Sequence, residues 1–462
     1  MIDLNDLRSN PDRYRRGAAA KQMSVDIDAL LSVDARCRAV QTELQELTAE
    51  KNKLGREIGQ LAGQLKKATP EAKAQLEAQM KALQERPTQI KEREAALAEQ
   101  LLELEPQREA LWLQVPQPPD EDVPVGSGAE DNRELRTWNP SWFDPRKTFQ
   151  ENKGFAPRTH LEIGEKMGLF DFARGVKIAG SRSYVLLGGG MKLHQAVLRF
   201  AFDFMVEKRG FTPVSVPVVV REEMMVGTGF FPAGREQAYL VAEKIRGEAQ
   251  DLYLTGTGEV GLMALHQDEI VDADKLPIKY TTVSTCFRRE AGAAGKDTAG
   301  LYRVHQFDKV EQVVICEADV EKSRQWHQDM IANTEALLQA MEIPYRLLQC
   351  CTGDLGVKNA DMIDIESWMP GRGEPDAQGK PKGAYAETHS ASRLYDYQCR
   401  RLNLRYRDPA TKKTVVCHSL NNTVLASPRV LIPILELYQN EDGSVTVPKV
   451  LVPYMGGQTL IA

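Results

Sequence analysis

Two stretches of the chain repeat apolar residues at alternating intervals of three and four. The first carries Val33, Cys37, Val40, Leu44, Leu47, Leu54, Ile58, Leu61 and Leu65, with Lys51 as the polar member of the seam. The second carries Leu76, Met80, Leu83, Pro87, Ile90, Glu94, Leu97, Leu101 and Leu104. Such spacing is a heptad seam, and a single apolar stripe on a helix needs a partner stripe to bury it. Lys66-Lys67-Ala68-Thr69-Pro70 lies between them, with Pro70 suited to the first turn of a new helix. Two helices of matched length around one turn predict an antiparallel hairpin, on the order of 50 Å long at about 1.5 Å per residue. Pro87 predicts a kink or break in the second helix. Short helical turns around Leu4, Leu7 and Tyr14 precede the hairpin. Periodicity alone leaves two readings open, an arm that projects from a body and a coiled coil that dimerises.

The pattern changes after Val115. The run VPQPPDEDVPVGSG is proline-rich and acidic, suits a linker, and divides the chain into segments 1–120 and 121–462. Beyond it an amphipathic helix is predicted over Met191–Arg209. A strand broken by Pro213 and Pro217 is predicted over Gly210–Val220, at an edge or an interface. Thr257 and Glu259 face the same way if their segment is extended. Thr281–Ile315 reads as a long antiparallel hairpin around a Gly/Ala loop at 291–300, with Arg288, Glu290, Arg303 and Glu311 near the loop on one face. A polar segment at 371–383 reads as a surface loop. Helical and antiparallel strand signals together predict an α+β fold.

Composition excludes little but sharpens the picture. A chain of 462 residues holds more than one ordinary core, and its charged fraction of 27% with 42% hydrophobic residues is that of a globular protein. The net charge of −6 means that any polyanion must be met by local basic patches. The seven cysteines have no CxxC spacing, so neither a disulfide framework nor a thiolate zinc site is predicted. No stretch is long and apolar enough for a membrane span or a signal core, and a cytoplasmic location with no membrane partner is expected.

FRRE, the glycine-rich loop and YRVHQFDKVE resemble the second signature motif of class II aminoacyl-tRNA synthetases, in the form found in seryl-tRNA synthetases. The resemblance extends over nearly the whole chain. The helix at 191–209 with the Pro217 strand is similar to the first motif, which implies a homodimer. Asn421-Asn422-Thr423-Val424-Leu425-Ala426-Ser427-Pro428-Arg429 is similar to the third. The resemblance implies an α-helical coiled-coil arm followed by a class II catalytic domain with a mostly antiparallel sheet flanked by helices. It also implies a reaction: L-serine is activated by ATP and passed to tRNA(Ser), with tRNA(Sec) as a further acceptor.

Site residues follow from the same resemblance. Arg288, Glu290, Arg303, Phe307, Glu387, Ser390 and Arg429 are implied to bind ATP, with Arg288, Glu387 and Arg429 catalytic. Glu387 and Ser390 supply the hard oxygens that Mg2+ favours. Thr257, Glu259, Arg303, Glu311, Asn421 and Thr423 are implied for serine, and Lys51, Lys53, Arg56, Lys66, Lys67 and Lys73 for tRNA phosphates. The chemistry needs no general base, because a carboxylate is already ionised at neutral pH, so His160 and His305 are read as structural. Gly258 stands where the family usually has Ala. His389, Ala391 and Arg393 depart from the usual Ser/Cys/Asn pattern, with Arg393 expected to add charge near the pocket, and Pro428 replaces a more usual Gly. Two other classes remain, a ligase that charges a carrier protein and an inert coiled-coil scaffold.

Overall fold

The computed structural model describes residues 1–242, 251–291, 300–375, 379 and 381–462. The chain divides into two compact units, one comprising 4–15 and 24–115 and the other 1–3, 16–23 and 116–462.

In the smaller unit α1 (Ile27–Leu65) and α2 (Pro70–Trp112) form the expected hairpin. Val33, Cys37, Val40, Leu44 and Leu47 pack against Leu97, Leu101 and Leu104. Cross-helix pairs run in opposite directions along the two helices, Gln41 with Glu105 (3.3 Å) and Glu50 with Arg86 (2.7 Å). The two polar seam positions meet each other: Lys51 Nζ lies 2.6 Å from Glu94. A mismatch in each heptad pattern thus becomes a pair that fixes register. Pro87 does not break α2, which runs unbroken through both Pro87 and Pro106. Asp34, buried beside the seam, is gripped by Arg8 at 2.7 Å and Arg38 at 3.1 Å.

The larger unit is built on an eight-stranded sheet. Its strands are β1 (Arg133–Trp138), β2 (Thr212–Pro213), β3 (Ile278–Phe287), β4 (Gln306–Cys316), β5 (Tyr345–Gln349), β6 (Asp361–Met369), β7 (Ala384–Tyr395) and β8 (His418–Ser427). They lie in the order β1-β5-β6-β7-β8-β4-β3-β2, antiparallel except for the β2–β3 pair. The expected mostly antiparallel sheet is therefore present. One face is apolar: Val310, Val314, Leu347, Ile363, Ile365, Ala391, Leu420 and Leu425 form a core with α3 (Gly188–Asp203) and α4 (Val320–Ala340). Polar side chains on that face pair with the helices, as in Asn333 donating to Gln312 (3.0 Å) and Thr334 to Asn422 (3.1 Å), although Asn422 Nδ2 is left without a partner. Period-two alternation therefore sends the intervening residues to the opposite face.

The strand expected over Gly210–Val220 is split. Thr212–Pro213 pairs with β3, whereas Val219–Arg221 joins a separate three-stranded sheet. Pro213 and Pro217 cannot donate to a ladder, which is why the segment does not stay in one sheet. All seven cysteines are buried and unpaired. Among the described residues no helix is long and apolar enough to cross a membrane.

Candidate active site

The polar face of the sheet carries a cavity lined by Arg288, Glu290, Arg303, Phe307, Glu387, Thr423 and Arg429, together with Tyr302, Lys309 and Thr388. Three stretches, 288–309, 387–388 and 423–429, thus meet in one place. β3 and β4 pair in register from Phe287↔Gln306 to Ile278↔Ile315, so the hairpin is as long as predicted. Its loop tip at 292–299 lies outside the described residues. Glu290 turns back into the site with φ +53°, a left-handed conformation that a non-glycine residue adopts only under constraint. There its carboxylate lies 3.3 Å from Arg303. The Arg288 guanidinium carbon lies 5.3 Å from the Phe307 ring centroid, so cation and platform already stack. His305 Nδ1 donates to the Arg288 carbonyl at 2.8 Å, joining the two ends of the hairpin, in keeping with a structural part. His160 likewise braces Glu436 at 2.8 Å.

On β7 the spacing Glu387…Ser390 would put the two side chains on opposite faces of a regular strand. A bulge corrects this: Glu366 pairs with Glu387 and Ile365 with His389, which leaves Thr388 as the extra residue. Asp364 then pairs with Ser390, and both Glu387 and Ser390 face the polar side. Behind them Asp364 Oδ1 is buried without a hydrogen-bond partner. Burial, reinforced by the charge on Glu387, pushes the Asp364 carboxyl up to about 8. This set of hard oxygens around an orphaned carboxylate atom fits a small divalent cation. Arg429 follows β8 and donates to the backbone carbonyls of Tyr302 (3.1 Å) and Glu387 (3.2 Å), with the Glu387 carboxylate 3.5 Å away. The helix after it is short, Leu431–Leu437.

Deeper along β4 lies a polar pocket. Thr257, Lys309 and Glu311 are all buried, and Lys309 Nζ donates to Thr257 Oγ1 at 2.7 Å while forming an ion pair with Glu311. Burial pushes the Glu311 carboxyl up, and the Lys309 charge offsets only part of the rise. Thr423 lies directly across from Glu311, and Asn421, two residues away on β8, shares its face. The segment around Gly258 is not extended as expected. Gly258 has φ −64° and ψ −20°, and Glu259 opens the helix Glu259–Ala264. Glu259 is held by Lys358 and Gln398, each at 2.6 Å, and the charges of Glu259 and Lys358 still reach Glu311 in the pocket. Burial lowers the Lys358 ammonium, and Glu259 counters it. A Cβ at Gly258 would meet the Thr282 methyl at 2.6 Å and Ser284 Oγ at 2.9 Å, so glycine here follows from close packing.

Arg393 does not add charge to the pocket. It is buried on the helix-facing side of β7, with Nη2 2.8 Å from Asp361 and a further ion pair to Asp120. Ala391 belongs to the core on the same face. His389 is buried with Nδ1 2.8 Å from Thr388, and burial, with Arg429 nearby, lowers its imidazole to about 3. Sequence reasoning missed Lys309 and Lys358. Lys309 was detectable, since Phe307, Lys309 and Glu311 share one face by parity. Lys358 carried no local signal. Of the 371–383 loop, residues 376–378 and 380 lie outside the described residues. In the smaller unit Lys51, Lys53, Arg56, Lys66, Lys67 and Lys73 are all exposed.

An antiparallel sheet carrying an arginine-lined cavity between a β3–β4 hairpin and the end of β8 defines a class II aminoacyl-tRNA synthetase. Residues 239–438 match the class II core domain shared by the G, H, P, S and T synthetases, and residues 1–107 match the seryl-tRNA synthetase N-terminal domain. The chain is 41% identical to the serine–tRNA ligase of Deinococcus radiodurans over 100% of this chain and 99% of the relative. It is 38% identical to that of Pyrococcus horikoshii, with 100% and 98% covered. The Pyrococcus horikoshii seryl-tRNA synthetase structure complexed with ATP superposes with a TM-score of 0.81, covering 100% of this chain and 99% of that one at 35% identity. The cytoplasmic serine–tRNA ligase of Naegleria fowleri in complex with AMP gives 0.82, covering 100% and 98% at 32% identity. The chain belongs to the seryl-tRNA synthetase family.

Proposed function

We propose that this chain is a serine–tRNA ligase that activates L-serine with ATP and then esterifies the 3′ end of tRNA(Ser). The observation that carries the reading is the continuity of two sites along β4. A cavity rich in arginine with an aromatic platform leads into a buried pocket of hydroxyl, carboxylate and amide groups. In the first step a serine carboxylate oxygen attacks the α-phosphorus as the bond to the β-phosphate breaks and pyrophosphate leaves. In the second a ribose hydroxyl of the tRNA attacks the seryl carbonyl and AMP leaves. Both steps depend chiefly on holding anions in line and stabilising the charge that develops between them.

Arg288 grips the α-phosphate, Phe307 stacks on adenine, Glu290 accepts from its amino group and Arg429 holds the γ-phosphate. Arg303 meets the serine carboxylate. Glu387 and Ser390 are the residues that would hold Mg2+, which supplies charge neutralisation on the phosphates when bound. Glu311, with Thr423 and Asn421 beside it, accepts the serine hydroxyl and ammonium, and Thr257 completes the pocket. Alanine would leave these groups unpaired, a stronger basis for rejection than size alone. Lys53, Arg56, Lys66, Lys67 and Lys73 contact tRNA phosphates along the hairpin arm. Lys51 does so only if it leaves Glu94. The enzyme works as a cytoplasmic homodimer, and tRNA(Sec) is a second acceptor.

The test is charging of total bacterial tRNA with labelled serine and magnesium ATP, with threonine, alanine and glycine in parallel. Selective serine charging is expected. Adenylation without transfer would move a carrier-protein ligase ahead, and no adenylation of any amino acid would overturn the reading.

A further inference from the structure

His194 lies on α3, on the side of the sheet away from the cavity, and is 4% exposed. Both of its ring nitrogens are engaged. Nε2 is 3.0 Å from Asp308 Oδ2, and Nδ1 is 2.8 Å from Ser427 Oγ. Asp308 and Ser427 are direct cross-strand partners on β4 and β8, and Thr285 on β3 completes the row opposite Asp308, donating to its Oδ1 at 2.7 Å. One imidazole thus closes a polar row that runs across three strands.

The position of this row gives it meaning. Phe307 immediately precedes Asp308, and Arg429 follows Ser427 by two residues, with Phe307, Pro428 and Ser427 itself all lining the cavity. The row is therefore the back of the two cavity walls, the aromatic platform on one strand and the last arginine on the other. We infer that His194 is a positioning residue for nucleotide binding, fixing the spacing between the Phe307 platform and Arg429 by joining Asp308 to Ser427 from behind. This rests on the reading of the cavity as an ATP site.

The tautomer follows from the partners. Burial would push the Asp308 carboxyl up, but hydrogen bonds from His194 and Thr285 outweigh it and hold the group below its ordinary value. A carboxylate only accepts, so Nε2–H donates to Asp308, and Nδ1 faces the Ser427 hydroxyl, which can donate or accept. Phenylalanine at 194 would fill much of the space and break both bonds. Glutamine offers an amide N–H and a carbonyl oxygen on one planar group and can serve both partners. Ser427→Ala removes the other end of the same linkage with little risk to folding, and because Ser427 also lines the cavity its result is read together with the H194F and H194Q pair.

The experiment measures serine-dependent ATP–pyrophosphate exchange for the full-length protein and for H194F, H194Q, S427A and H418F, with a thermal midpoint for each. His418 is a control, a buried histidine on the far end of the same β8 that bonds to Ser323 at 2.8 Å. H194F and S427A should raise KM for ATP by about tenfold or more while KM for serine stays within about twofold, since displacements near 1 Å cost rates on that order. H194Q should restore most of the ATP affinity. H418F should lower the midpoint without splitting the two KM values. The proposal is overturned if ATP and serine KM values rise together, if S427A binds ATP as the parent does, or if H194Q is no better than H194F. Absence of exchange in the parent protein would instead refute the ATP-site reading itself.

Discussion

Replacing Lys309 with methionine is the most informative single change at the pocket. The substitution keeps length and apolar volume but removes the charge that faces Glu311 and the donor to Thr257 Oγ1. Glu311 is 2% exposed, so water cannot replace the lost partner. Breaking a buried pair from one side costs about 3–5 kcal/mol, because the remaining charge is stranded. Burial already pushes the Glu311 carboxyl up with the lysine in place, and without the lysine that rise is unopposed, which weakens the carboxylate as a charged acceptor. The loss for serine is then that of one charge-assisted hydrogen bond, about 2–3 kcal/mol or roughly 30- to 150-fold in kcat/KM.

The assays are urea unfolding and serine-dependent ATP–pyrophosphate exchange at saturating ATP. K309M should lose both stability and serine kcat/KM. The double variant K309M/E311Q has no stranded charge and should recover most of the stability, to within about 1–2 kcal/mol of the parent. Its serine kcat/KM should stay low, because the carboxylate is gone. The reasoning fails if K309M unfolds like the parent, or if the double variant is as active on serine as the parent.

R393M should destabilise the protein by up to about 3–5 kcal/mol, since it removes the buried guanidinium between Asp361 and Asp120 and leaves them only weaker partners such as Gln349 and Tyr395, yet leave KM for both ATP and serine unchanged. A shifted KM would show that Arg393 does reach the pocket. His389 sets an acid limit. Its imidazole is lowered to about 3 when folded and ionises near its ordinary value when unfolded, so the unfolded state binds the extra proton between the two. Its stability contribution is complete above about pH 6.5 and is lost at up to about 1.4 kcal/mol per pH unit as pH falls toward 3. H389Q should flatten that slope in urea titrations from pH 7 to 4, and an unchanged slope would contradict the assignment. Changing Lys66, Lys67 and Lys73 to Gln should raise KM for tRNA and lower the salt dependence of charging by up to about one unit of log–log slope per lost phosphate contact, with pyrophosphate exchange unaffected. Equal salt slopes would count against the arm as a phosphate reader.

The legible parts of this molecule are those in which periodicity or parity does the specifying. The hairpin arm follows from its heptads, and the polar exception Lys51 proves to pair with Glu94 of the second seam. The β3–β4 hairpin follows from two β-prone arms with charged residues at the loop. What escaped were features set by register or by distant partners. Three-residue spacing between Glu387 and Ser390 is uninterpretable until the Thr388 bulge is known. Arg393 looked like pocket charge because its partner Asp120 lies 273 residues away in the chain, on the linker. Gly258 read as a neutral departure, whereas the Thr282 and Ser284 side chains leave its Cβ no room. The proline-broken strand was a single element in sequence and two in space, because neither half could supply the donors to remain in one ladder.

The charges of the cavity bear on how it receives a polyanion in a chain of net charge −6. Its arginines are not presented bare. Arg303 lies 3.3 Å from Glu290 and Arg429 lies 3.5 Å from Glu387, both longer than the 2.7–2.9 Å or so of a strong charge-assisted contact. Such loose pairs keep the cations oriented at little cost to their release, because a long contact forfeits most of its hydrogen-bond energy. In the proposed reaction Arg303 and Arg429 would each exchange a carboxylate for a phosphate or substrate carboxylate held with two parallel donors, leaving Glu290 for the adenine amino group and Glu387 as a residue that would hold Mg2+. The ATP affinity to be measured is then a difference between two sets of ion pairs rather than a sum of new ones. Removing Glu290 or Glu387 therefore acts on both sides of the exchange, and the deeper Lys309–Glu311 pair, at 4% and 2% exposure, is the part of the site held too tightly to exchange in this way.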